Sequence, residues 1–205
     1  MRLGPVYFVT DADAPVSVPD QVRAVVAAGV PIVQLRDKDA NDADFAALAR
    51  ELLHITRAAG AALIVNDRIG VALEIGADGL HVGQGDGDIA DIRRRIGPDM
   101  ILGLSVETLE QLGSIPPNSV DYLGVGPLRA TATKPDAAQP LGMDGLAQII
   151  AAAPLPCVAI GGIRPGDAAA IRQAGAAGIA VVSAISRAQD MDRAARALIE
   201  KWEAA

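Results

Sequence analysis

The polar run Gln34-Leu-Arg36-Asp-Lys38 follows directly on the apolar run Pro31-Ile-Val33. Alternate residues of an extended segment face the same way, so Gln34 and Arg36 share a side. Arg36 and Lys38 are cations suited to a phosphorylated ligand. Two carboxylates, Asp67 and Asp86, close the next two apolar runs. Hard carboxylates beside cations suit Mg²⁺, which takes a few carboxylates, several waters and the phosphate oxygens of a substrate. Asp67 and Asp86 could each instead cap the helix that follows, a common use of Asp. The pairing of two cations with two carboxylates favours a metal–diphosphate site. Further along, Gly161-Gly162 precedes Ile163-Arg164-Pro165, and Gly178-Ile-Ala-Val-Val182-Ser183 ends the last apolar run. Glycine turns let backbone N–H groups approach an anion closely, so these two segments form a candidate site for a single phosphate.

Other reactive residues point to less. His81 lies inside an apolar run and reads as packed or supporting rather than as a general base. His54 falls within a long helical segment and reads as structural, and Cys157 reads as a buried thiol. No Ser/His/Asp order stands out, and Cys and His are too few for a zinc site.

The elements that must position these groups form a repeating pattern. Short apolar runs near 6–10, 32–36, 63–66, 79–82, 101–105, 122–126, 157–160 and 179–183 alternate with amphipathic segments. Those segments lie near 20–28, 42–59, 68–75, 89–96, 107–112, 144–153, 165–174 and 191–202. Strict βα alternation predicts a parallel sheet, and eight units predict closure into one (β/α)8 TIM-type barrel of the α/β class, a single domain over 1–205. Ala28-Gly29, Ala59-Gly60 and Ala174-Gly175 close helices, and Pro165 suits a first helical turn.

Catalytic groups of such barrels gather where strands end. Strand two leads to Gln34, Arg36 and Lys38, strand three to Asn66 and Asp67, strand four to Asp86, and strand five to Ser105. Strand six leads to Thr131, Thr133 and Lys134, strand seven to Gly162, and strand eight to Val182 and Ser183. Singly, each polar residue could merely mark a strand end; together they describe one crater. Of the chain's three lysines, Lys38 and Lys134 fall in these loops. The segment 127–142 has the longest stretch without periodicity and is a candidate lid.

Composition narrows the function classes. Half the residues are apolar (51%) but only 2% are aromatic, so the core is built from Val, Ile, Leu and Ala, as parallel strands buried on both faces require. A net charge of −7 excludes a basic nucleic-acid footprint and obliges a diphosphate site to concentrate positive charge or recruit a metal. One cysteine excludes an intrachain disulfide framework, the start MRLGPVYFVTD lacks signal-peptide features, and no run spans a membrane. A cytoplasmic protein is expected. Its oligomeric state is not legible, a homodimer being compatible with everything above.

The motifs together resemble thiamine phosphate synthase, also called thiamine-phosphate pyrophosphorylase. The matching segments run nearly end to end: Tyr7-Phe-Val-Thr-Asp11, Val33-Gln-Leu-Arg-Asp-Lys38, Ile64-Val-Asn-Asp67, Gly76-Ala-Asp-Gly-Leu-His-Val-Gly-Gln84 with Asp86, Gly103-Leu-Ser105, Gly124-Val-Gly-Pro127, Thr131-Ala-Thr-Lys134 and Ala159-Ile-Gly-Gly-Ile163. The resemblance implies that Gln34, Arg36, Lys38, Asn66, Ser105 and Lys134 hold a pyrimidine diphosphate, with Arg36, Lys38, Lys134 and Ser105 acting in catalysis. It implies Mg²⁺ on Asp67 and Asp86, and thiazole phosphate against Thr131, Thr133, Gly162, Val182 and Ser183. The family usually carries an aromatic and a proline before the first threonine of its loop; Arg129-Ala130 stands there instead.

The implied reaction displaces pyrophosphate from the pyrimidine methylene carbon by the thiazole nitrogen, through a cation that the aminopyrimidine stabilises. No protein nucleophile is needed. Three rivals remain: a thiazole tautomerase on the same barrel, for which His81 is the one obvious acid–base group; a barrel enzyme acting on one sugar phosphate; and a silent sensor of thiamine precursors.

Overall fold

The computed structural model describes residues 3–131 and 138–205. Its strands are β1 (Val6–Val9), β2 (Ile32–Leu35), β3 (Ala62–Asn66), β4 (Gly79–Val82), β5 (Ile101–Val106), β6 (Tyr122–Val125), β7 (Cys157–Ala159) and β8 (Gly178–Val181). Each pairs in parallel with the next, and β8 pairs with β1, so the barrel closes as the alternation predicts. Around it run α1 (Val18–Ala27), α2 (Asp42–Ala58), α3 (Ile69–Ile75), α4 (Ile89–Ile96), α5 (Leu109–Leu112), α6 (Gly142–Ala152), α7 (Ala168–Gln173), α8 (Ser183–Ser186) and α9 (Met191–Glu203). Among the described residues no helix is long and apolar enough to cross a membrane.

The strands are apolar on both faces because both are buried. Val6, Phe8, Val33, Leu35, Leu63 and Val65 face outward into the core beneath the helices. Tyr7, Val9, Ile32, Ile64, Tyr122 and Val158 form a separate cluster inside the barrel. Register keeps the inward residues in layers: Tyr7 pairs with Ile32 and Ala180, Val9 with Gln34, and Asn66 with His81. The same period of two carries the inward face on to Gln34, Asn66, His81 and Ser105, where it becomes polar.

Helix α2 shows how the outer layer is coded. Asn41 caps it, its side chain accepting from the Asp44 N–H. Phe45, Ala46, Ala49, Leu52, Leu53 and Thr56 recur at helical spacing and form its buried face. Leu52 is wholly buried, so Leu52→Ala would cost about 2–5 kcal/mol.

Most element ends lie within one or two residues of the expected ones, and two of the differences bear on the site. The eighth strand was expected to reach 183 but ends at Val181; Val182 turns the chain and Ser183 opens α8. Its short apolar run continues into a buried helical turn, and periodicity alone cannot separate the two. The expected helix 165–174 begins as a 3-10 turn, Pro165–Asp167, before α7. Pro165 still occupies a first turn.

Candidate active site

At the end of β2 the backbone is clamped to β1. The Arg36 N–H donates to Thr10 Oγ1 at 3.0 Å, and that hydroxyl donates to the Arg36 carbonyl at 3.3 Å. The following turn is held from inside by the Asp37 carboxylate, which accepts the N–H groups of Asp39 and Ala40 at 3.0 Å each. It is held from outside by Arg68, which donates to the carbonyls of Asp37 and Ala40 and lies 4.4 Å above the Phe45 ring. Lys38 therefore projects from a braced turn.

Asp67 ends β3 with a φ of 58°, a left-handed conformation unusual for a side chain other than glycine. Its N–H donates to the His81 carbonyl at 2.9 Å, which ties the strained residue to β4. Neither Asp67 nor Asp86 caps a helix. The N-cap of α3 is Arg68, without a side-chain bond, and α4 is capped by Asp88. Asp86 instead accepts from the Gly83 N–H at 2.6 Å. Burial, together with the charge and hydrogen bond of Asp86, pushes the Asp67 carboxyl up to about 6, against the opposing pull of Lys38 and Asn66. Two carboxylates forced into contact beside a cation fit a divalent ion that would relieve their repulsion. Among the described residues no cluster of three or more His, Cys, Asp or Glu could hold a metal, so a closed all-protein cage is not what this site offers. A cavity of about 240 Å³ opens here, lined by Asp37, Lys38, Asn66, Asp67 and Arg68.

A larger hollow of about 360 Å³ lies at the opposite end of the barrel, beside Arg93, Gly97 and Asn118. There Arg93 donates to the carbonyls of Ser119, Gly97 and Met100 and to the Asp121 carboxylate. Its guanidinium braces those loops.

Across the crater, Gly162 has a φ of +64°, and a Cβ on it would lie 2.8 Å from Arg129 Cβ, so the close approach of the two loops requires glycine there. Arg129 donates to the Gly162 carbonyl at 3.1 Å and holds Asp167 with two bonds of 2.6 and 2.8 Å. That pairing lowers the Asp167 carboxyl below its ordinary range. Val182 and Ser183 form the neighbouring turn, and Ser186 Oγ donates to buried Asp11 at 2.9 Å, anchoring α8 to the end of β1. Thr131 is described, at the edge of this side; Thr133 and Lys134 lie outside the described residues, as does the middle of the expected lid, 132–137. The ends of that segment meet through Leu141 N–H to Pro127 carbonyl at 2.8 Å.

The floor between the two sides is a hydrogen-bonded chain. Gln34 Nε2 donates to Tyr7 Oη at 2.8 Å, and Tyr7 Oη meets Tyr122 Oη at 2.8 Å. Tyr122 Oη meets His81 Nδ1, and His81 Nε2 meets Ser105 Oγ, both at 2.9 Å.

A sequence profile described as thiamine monophosphate synthase matches residues 6–185. The chain belongs to the thiamine monophosphate synthase family. It is 47% identical to the thiamine-phosphate synthase of Azorhizobium caulinodans over 194 residues, 94% of this chain and 92% of that one. It is 46% identical to that of a Roseiflexus species over 197 residues, 95% and 84% of the two chains. The solved thiamine phosphate pyrophosphorylase of Pyrococcus furiosus superposes with a TM-score of 0.89 at 32% identity, covering 99% of this chain and 97% of that one.

Within this family frame, the structure brings Gln34, Arg36, Lys38, Asn66, Asp67, Asp86 and Ser105 to one end of the barrel, with Gly162, Val182 and Ser183 facing them. His81 is a supporting residue, as its place in an apolar run implied, whereas His54 lies on the exposed face of α2. Burial pushes the Cys157 thiol up to about 11, which leaves it inert. Reading the sequence missed Tyr122, Arg68 and the Arg129–Asp167 pair. One signal was available: both tyrosines and one of the two histidines sit at inward positions of strands.

Proposed function

We propose that residues 1–205 form one catalytic domain that joins 4-amino-2-methyl-5-(diphosphooxymethyl)pyrimidine to thiazole phosphate, yielding thiamine phosphate and pyrophosphate in the cytoplasm. The enzyme is a transferase. The observation that carries the reading is the Asp67–Asp86 contact beside the braced Lys38 turn, in a chain of this family. Asp67 and Asp86 would hold Mg²⁺, which when bound supplies positive charge to a departing pyrophosphate. Arg36, Lys38 and Lys134 hold the diphosphate and oppose the charge that grows on it as the methylene C–O bond breaks. Gln34, Asn66 and Ser105 orient the pyrimidine, whose amino group stabilises positive charge on that carbon. Thr131, Thr133, Gly162, Val182 and Ser183 seat the thiazole phosphate so that its ring nitrogen faces the carbon.

His81 gives little support to a tautomerase, since both ring nitrogens are engaged, by Tyr122 and Ser105. Pyrophosphate release from purified protein tests the proposal. Release that requires both substrates and Mg²⁺, with thiamine phosphate appearing in step, is expected. Binding of thiazole phosphate without release would transfer the assignment to an isomerase or a sensor.

A further inference from the structure

The hydrogen-bonded chain across the crater floor takes its direction from the Gln34 amide, which turns Nε2 toward Tyr7, and from counting protons onward from there. Gln34 Nε2 has no lone pair to offer, so at 2.8 Å it donates and Tyr7 Oη accepts. Tyr7 is buried, and among the described residues its hydroxyl proton has one acceptor within reach, Tyr122 Oη at 2.8 Å. Turning that proton elsewhere would leave a buried donor unpaired, and among the described residues no buried side-chain polar atom is left so. Burial holds both phenols well above their ordinary range, so neither ionises. Tyr122 must then donate to His81 Nδ1 at 2.9 Å. A neutral imidazole accepting at Nδ1 carries its proton on Nε2, which donates to Ser105 Oγ at 2.9 Å. Ser105 keeps its own proton for the crater. At the other end Gln34 Oε1 has no partner among the described residues and is not a buried orphan, so it too faces the crater.

We infer that Tyr7, Tyr122 and His81 are positioning residues that fix Gln34 as a hydrogen-bond acceptor and Ser105 as a donor, so that the crater floor selects a 4-aminopyrimidine over its 4-oxo counterpart. The inference rests on the proposed function. A 4-aminopyrimidine has an amino donor for Gln34 and ring nitrogens that accept from Ser105. The 4-oxo ring presents a carbonyl acceptor and a ring N–H, the reverse pattern. A lone glutamine could turn over to suit it. Here that turn would set Oε1 against a hydroxyl already committed to Tyr122, so Gln34 can reverse only if every member of the chain reverses with it. Space for the chain is itself built in. A Cβ on Gly103 would lie 2.2 Å from the Tyr122 ring and 2.4 Å from His81 Nδ1.

The first test is ¹⁵N NMR of the full-length protein with labelled histidine, assigned with a His54→Gln variant. A proton on Nε2 of His81 with Nδ1 bare is expected at neutral pH. A proton on Nδ1 would mean the opposite polarity and would overturn the inference. The second test measures competitive inhibition by (4-amino-2-methylpyrimidin-5-yl)methyl phosphate and its 4-oxo analogue. Wild type should favour the amino compound. In Tyr122→Phe, the Tyr7 hydroxyl is freed to donate to Gln34 Oε1, the amide turns, and the amino-to-oxo ratio should fall by on the order of tenfold or more. Equal weakening of both compounds is what a merely structural tyrosine gives, and it would overturn the inference. Tyr7→Phe repeats the measurement should Tyr122→Phe fail to fold. Wild type that makes thiamine phosphate yet binds both compounds equally would overturn the inference while leaving the function intact.

Discussion

Arg129, after β6, grips Asp167, after the neighbouring β7, with two parallel bonds, Nη1 to Oδ2 at 2.6 Å and Nη2 to Oδ1 at 2.8 Å. Arg129 and Ala130 stand before Thr131 where the resemblance implies an aromatic and a proline, and the Arg129–Asp167 pair joins the loop after β6 to the segment after β7. Arg129→Ala should raise KM for thiazole phosphate by about tenfold with a smaller change in kcat, because the loop is loosened and no reacting group is lost. Arg129→Lys should not restore it, since an ammonium cannot make both bonds. The Asp167 carboxyl is depressed, so its stabilising contribution is present above its ordinary value of 3.8 and is lost as pH falls below it. Steady-state kinetics and acid denaturation check the two parts.

Gly103 and Gly124 line the same interior but differ in clearance. A Cβ on Gly103 would lie 2.2 Å from the Tyr122 ring, whereas one on Gly124 would lie 3.0 Å from His81 Cε1. Gly103→Ala should destabilise the protein by about 1–3 kcal/mol and lower kcat/KM through displaced Tyr122 and His81. Gly124→Ala should cost clearly less. Denaturant midpoints for the two variants, compared directly, test the ordering.

Asp67 carries the charge conflict of the site. Its folded value of about 6 exceeds the ordinary 3.8, so the metal-free folded state binds the proton more tightly than the unfolded chain does. Metal-free stability should therefore decline as pH rises from about 4 to 6 and stay lower above that range. After allowance for solvent screening of a half-exposed group, the loss is about 1 kcal/mol. Asp67→Asn should remove that decline while lowering Mg²⁺-dependent turnover about a hundredfold. Unfolding in chelator with and without added Mg²⁺ measures the first effect. Wild type should gain stability from Mg²⁺ at pH 7.5 and the variant should not.

Arg36 and Arg68 separate binding from bracing. Arg36→Ala should lower turnover about a hundredfold, the loss of one cation at a developing pyrophosphate, roughly 3 kcal/mol. Wild-type turnover in Arg36→Ala would end the assignment of the diphosphate to this turn. Arg68 holds the turn through the Asp37 and Ala40 carbonyls, an ion pair with Asp42 at the start of α2, and the face of the Phe45 ring. Arg68→Ala should mainly raise KM for the pyrimidine diphosphate, and the KM-against-kcat split distinguishes the two arginines.

Much of this protein was legible in the order of its residues. Apolar runs of strand length alternating with helical segments dictated a closed parallel barrel, and period-two alternation sent Gln34, Asn66 and Ser105 inward where strands end. The motifs around Arg36, Lys38, Asp67 and Asp86 identified the family. These are local signals, each written within a few neighbouring residues. Tertiary structure alone decided the rest. That Asp67 and Asp86 touch each other and cap no helix depends on how two loops lie. That Arg129 is held in place depends on Asp167, which is 38 positions away. The link between Tyr7 and Tyr122 spans 115 positions and exists only once β1 and β6 face one another across a closed barrel. No window of sequence records such a contact, because the barrel's curvature, not the chain's order, brings the two hydroxyls together.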